Sequence, residues 1–122
     1  MDDLENISEE LKALSERLYK KLLVSRKVGN VTPDHPIMAK DICERLKTNE
    51  HIIVSDIDVR QMINHQRSLG RWIATGKSGV GYYLALTPGE MEYTLKRLRR
   101  IRDSVERPIA GIERSFQKEL EL

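Results

Sequence analysis

The sequence predicts a mainly α-helical fold with one small β-hairpin, set between long N- and C-terminal helices. Three observations carry this. A helix-start signal at Ser55 leads an amphipathic run that ends at Gly70. Two short β-prone runs, 71–75 and 80–86, follow at once and are joined by Gly76-Lys77-Ser78-Gly79, a hairpin signal. Apolar residues at helical spacing recur over long stretches before residue 28 and after residue 88.

The central helix is expected over 55–69. Ser55 is an N-cap residue, and Asp58 three positions on completes a capping box. Val59, Met62 and Ile63 then form the inward face, Leu69 closes the last turn, and Gly70 supplies a left-handed C-cap. The hairpin is expected over 71–86. Tyr82, Leu84 and Leu86 share one of its faces, expected to pack on the first and third helices. Tyr83 and Trp72 either cover the hairpin edge or sit at a partner surface, with structural covering favoured. The Gly76–Gly79 tip lacks the frame of a phosphate-binding loop and does not open a helix.

The first helix is expected from about Asn6, capping with Glu9, to Lys27, with Gly29 as its stop. Leu4, Ile7, Leu11, Leu14 and Leu18 alternate at spacings of three and four, a core stripe long enough for part of it to pack on another chain. Pro33 and Pro36 make 30–36 a loop, and Ile37 starts a very short edge strand. A second helix over 38–47 places Ala39, Ile42, Cys43 and Leu46 on one face. Residues 48–54 form a link in which Ile52, Ile53 and Val54 plug the core.

Thr87-Pro88-Gly89-Glu90 is a helix start with N-cap, proline at N1 and glutamate at N3. Beyond it Met91, Leu98, Val105 and Ile112 lie seven apart, and Leu95, Arg102, Ile109 and Phe116 form a second series. That a/d register predicts a homodimer through Leu95, Leu98, Val105, Ile109, Ile112 and Phe116. The alternative is that this helix folds back on the first helix. Pro108 implies a kinked helix or two helices in line. The domain is expected over 1–102, with 103–122 continuing the helix as a dimerisation segment.

At 122 residues the chain is one domain, a third of it charged, with a net charge of only +2. The single cysteine, Cys43, excludes an internal disulfide and a cysteine zinc cluster, which suits a reducing cytoplasm. It is read as a small apolar residue, since no basic neighbour would activate its thiol. No apolar run approaches the ~18 residues of a membrane span, and the acidic start is unlike a signal peptide. His35, His51 and His65 lack metal-site spacing, and His51 is assigned no role. No cofactor, metal or catalytic set is expected, so the chain is not expected to be an enzyme.

Charge distribution is more informative than the total. From Val59 to Gly89 there is no Asp or Glu, while Arg60, His65, Arg67, Arg71 and Lys77 fall in that window. One-signed blocks of this kind suit a phosphate backbone. The outward set on the central helix also includes Gln61, Asn64 and Ser68, and Ser78 lies at the hairpin tip. Gln and Asn pair with adenine and Arg with guanine. Asp56 and Asp58 act against this, because they repel phosphate. Lys96, Arg97, Arg99, Arg100 and Arg102 form a second basic ridge.

The order DVRQMINHQRSLGRWIATGKSGVGYYLALTPGEMEYTLKRL resembles the winged helix-turn-helix domains of phage and prophage proteins. Val59-Arg60, Gly70, Ile73, Gly81-Tyr82-Tyr83 and 95–100 carry the resemblance, which covers roughly 37–102. Gln66 departs from it, standing where the pattern has an apolar residue, as does the long link before Ser55. The resemblance implies a winged helix with helix 55–69 as recognition helix and 71–86 as wing. It also implies a DNA-binding or replication-associated role. Double-stranded DNA is therefore the expected partner, for a small transcriptional regulator or a phage replication accessory. Arg60, Gln61, Asn64 and His65 are expected at base edges, Arg67, Arg71 and Lys77 at phosphates, and Ser68 and Ser78 beside them. The alternative is a protein-interaction module that uses the same surface without DNA.

Overall fold

The structure is a computed structural model that describes residues 7–121, with side chains as far as Glu119. Among the described residues there are four helices and one two-stranded antiparallel sheet, in the order α1 (Glu9–Val28), α2 (Ala39–Glu50), α3 (Asp56–Ser68), β1 (Ile73–Thr75), β2 (Tyr82–Leu84) and α4 (Pro88–Glu121). None of these helices is long and apolar enough to cross a membrane.

α1 is capped by Ser8. Ser8 Oγ accepts the Leu11 N–H at 3.1 Å, while Asn6 and Leu4 lie outside the described residues. Gly29 ends the helix at φ 83°, as its position predicts. Leu14 and Leu22 are buried and Leu11 and Leu18 pack against the core, so the leucine stripe is interior. α2 runs three residues further than its apolar pattern indicates. It stops at His51, which adopts φ 56°, and the Ile52 N–H just beyond donates to the Leu46 carbonyl at 3.1 Å. That extra turn shortens the link before α3. Ile52 and Val54 are half-buried there, but Ile53 is 84% exposed and plugs nothing.

α3 has the predicted capping box. Asp58 N–H donates to Ser55 Oγ at 3.1 Å, and Ser55 N–H donates to Asp58 Oδ2 at 2.9 Å. Val59, Met62 and Ile63 are fully buried beneath it, against α1 and α2. The strands are shorter than 71–75 and 80–86. Gly79 and Gly81 have φ of 86° and 80°, which takes the chain out of extended geometry before Tyr82. At the other end the Arg71 N–H is held by the Gln66 carbonyl, and the Leu86 N–H by Glu90. Ile73 pairs with Leu84 and Thr75 with Tyr82. Ile37 bridges Tyr82 through reciprocal bonds of 2.8 and 2.9 Å, the very short edge expected.

β2 is covered on both faces. Leu84 packs toward the helical core, and Tyr83 is buried with its hydroxyl donating to the Glu90 carbonyl at 3.2 Å. Leu86 departs from its expected core face and is 54% exposed, its N–H turned to the Glu90 carboxylate in the first turn of α4. Thr87 Oγ1 accepts the Glu90 N–H, and the Glu90 carboxylate binds Arg26 of α1 at 2.8 Å. Arg26 also donates to the Leu84 carbonyl and lies over the Tyr83 ring, tying α1, β2 and α4 together. α4 passes through Pro108 as one helix. From Arg99 to Glu119 every residue but Gly111 is exposed, so α4 does not fold back on α1.

Candidate nucleic-acid interface

The buried positions of α3 decide what its outer face can offer. With Val59, Met62, Ile63 and Gln66 inward, the opposite face at 3.6 residues per turn carries Ile57, Gln61, Asn64 and Ser68, flanked by Arg60 and His65. Arg60 and Ser68 are exposed, and Gln61, Asn64 and His65 are half-buried. The Ser68 hydroxyl is engaged locally, donating to the His65 carbonyl at 2.6 Å. Lys77 and Ser78 are exposed at the hairpin tip.

Two of the expected phosphate ligands are used inside the fold. Arg67 donates through Nε to the Ile73 carbonyl at 2.8 Å and through Nη2 to Thr75 Oγ1 at 3.0 Å. It is a strut between the last turn of α3 and β1, and burial lowers its pKa from the usual guanidinium value. Arg71 donates to Glu16 Oε2 at 2.5 Å and Gln66 Oε1 at 2.6 Å, with its guanidinium 4.3 Å from the Tyr19 ring centroid. Its hydrogen bond to Glu16 raises its own pKa and lowers that of Glu16. Both guanidinium groups are engaged within the fold.

The same network explains Gln66. It is fully buried, and its amide donates to Ser15 Oγ at 2.8 Å and Glu16 Oε2 at 3.3 Å while accepting from Arg71. An apolar residue would fill the space but leave this polar cluster short of partners. Asp58 is likewise occupied by the capping box. Asp56 receives only a long 3.6 Å contact from Cys43 Sγ. Burial, then Asp56, raises the Cys43 pKa, as expected for an unreactive thiol.

A residue from the second basic ridge joins the tip. Arg97 lies across Gly79, where an added Cβ would stand 2.7 Å from its Nη1. Beneath it the buried Thr94 accepts the Thr75 N–H at 2.8 Å. α4 thus fastens the tip end of β1 and sets a cation beside the tip. Arg60, Lys77, Arg97, Arg99 and Arg100 make no ion pair among the described residues, whereas Lys96 pairs with Glu92 and Arg102 with Asp103.

Ile53 and Ile57 are the surface features that residue spacing missed. Both are strongly exposed, at 84% and 63%, at the start of α3. Ile57 is legible in retrospect, lying opposite the Val59-Met62-Ile63 face on the helical period. Compared with protein-family models, curated proteins and solved structures, the chain matches none of them.

Proposed function

We propose that this chain is a winged helix-turn-helix protein that binds double-stranded DNA. In this reading α3 is the recognition helix and the β1–β2 hairpin is the wing. The carrying observation is that the carboxylate-free stretch 59–89 supplies the outer face of α3 and the hairpin tip, with Arg60 and Lys77 unpaired among the described residues. Arg60, Gln61 and Asn64 read base edges in the major groove, with His65 at the margin and Ser68 beside them. Lys77 and Ser78 meet the phosphate backbone, and Arg67 and Arg71 hold the scaffold. The role is that of a small regulator or replication accessory.

Anisotropy titration of labelled duplexes tests this. Arg60→Ala and Asn64→Ala are expected to cost roughly 1–3 kcal/mol on a preferred site and less on random DNA. Lys77→Ala is expected to weaken all sequences alike. Unchanged binding in all three variants would remove the DNA reading.

A second reading is favoured by Ile53 and Ile57, two exposed aliphatic side chains beside Asp56. They suit a protein partner better than a polyanion. Ile53→Ser with Ile57→Ser would then abolish a protein complex while leaving duplex binding intact.

A further inference from the structure

An exposed apolar stripe runs along α4 through Leu98, Ile101, Val105, Ile109, Ile112 and Phe116. Leu98 is half-buried, and the other five are between 47% and 65% exposed. The spacings are three, four, four, three and four. Leu98 and Ile109, Ile101 and Ile112, and Val105 and Phe116 are each eleven apart. Eleven residues over three turns stay close to the α-helical period, so the stripe keeps to one face of a nearly straight helix. A heptad seam would have to include Arg102. In the eleven-residue pattern Ile101 takes that place and every seam position is apolar.

We propose that a second copy of this chain covers the stripe, with the two α4 helices antiparallel and their dyad near Pro108. Charge chooses both the occupant and the direction. Residues 96–102 carry five cations and no carboxylate, while from Asp103 to Glu121 carboxylates outnumber cations five to three. A parallel pair would set the five cations beside their own copies. An antiparallel pair sets them beside the partner's acidic end.

The flanks agree in detail. At 3.6 residues per turn, Arg102 and Glu113 lie on one side of the stripe and Arg97 and Glu119 on the other. In an antiparallel two-fold pair like flanks face each other. Arg102 then meets the partner's Glu113, and Arg97 meets the partner's Glu119. Both pairings centre near Pro108, as does the stripe from Leu98 to Phe116. In a parallel pair unlike flanks meet, which brings Arg97 against the partner's Arg102. The overlap reaches as far as the point where α4 enters its own body at the buried Thr94. The inference does not depend on DNA binding.

Sedimentation equilibrium of the full chain is expected to give twice the 14.1 kDa chain mass at high micromolar concentration. A monomer there overturns the proposal. Arg102→Glu or Glu113→Arg alone is expected to weaken the dimer by roughly tenfold, and the two together to restore it. Tightening by Arg102→Glu alone would instead indicate a parallel pair and overturn the proposal. In a Cys43→Ser background, Leu98→Cys chains mixed with Phe116→Cys chains are expected to form the mixed disulfide. Crosslinks only between like chains would overturn it.

Discussion

Glu16 and Glu90 are carboxylates that arginines of other elements tie into the fold. Arg71's hydrogen bond holds Glu16 below the ordinary 4.5, and Arg26's hydrogen bond, with the Leu86 N–H, does the same for Glu90. A group whose pKa is lowered on folding stabilises the native state fully above its unfolded value. That contribution is lost as the pH falls through the lowered value. Urea midpoints are therefore expected to decline from about pH 4.5 downward, and Glu90→Gln is expected to flatten that decline. Gln66→Ala is expected to cost about 2–4 kcal/mol, from a cavity and the bonds lost to Ser15 and Arg71. A shift in urea midpoint at constant m-value checks it. At this scale local chemistry was legible in the sequence and distant partners were not. The Ser55–Asp58 box spans three residues and needs no tertiary information. Arg67 and Arg71 look like free cations in a basic run, because nothing local announces that Glu16, in another helix, will take Arg71. Gln66 departs from an apolar pattern for the same reason.

The elements were legible where periodicity and caps agreed. The buried face of α3, the Gly29 stop and the Thr87–Glu90 start all followed from them. Misjudged ends had backbone causes: α2 ends only at a left-handed histidine, three residues beyond its apolar pattern, and positive-φ glycines cut the hairpin short. Two glycines on either side of β1, Gly70 and Gly76, make separable predictions. A Cβ on Gly76 would stand 2.3 Å from the Val80 carbonyl oxygen, which is backbone and cannot swing away. At Gly70 the space is open, and only its φ of 86° opposes a side chain. Gly70→Ala is expected to cost about 1–2 kcal/mol from the left-handed backbone. Gly76→Ala is expected to cost more and to disturb the tip that carries Lys77, as thermal unfolding of the two variants would show. In α4, Pro108→Ala restores a helical hydrogen bond. It is expected to raise helicity and thermal stability in circular dichroism.

On the scale of the whole molecule, α1 to β2 form the packed body and α4 both braces the hairpin and extends beyond it. The arrangement leaves two kinds of surface: the outer face of α3, free of carboxylates from Val59 onward, with its basic hairpin tip, and an apolar stripe on α4. The first is proposed to meet DNA and the second another copy, so the roles can be tested separately. The central claim concerns the first. Its most direct measurement is duplex affinity by fluorescence anisotropy at several salt concentrations, for the unaltered chain and for Lys77→Ala. The account predicts that the affinity falls steeply as salt rises. It also predicts that log K against log[salt] is shallower by about one in the variant, for the loss of one phosphate contact. No duplex binding at low salt, or equal slopes and affinities for the two proteins, would contradict it.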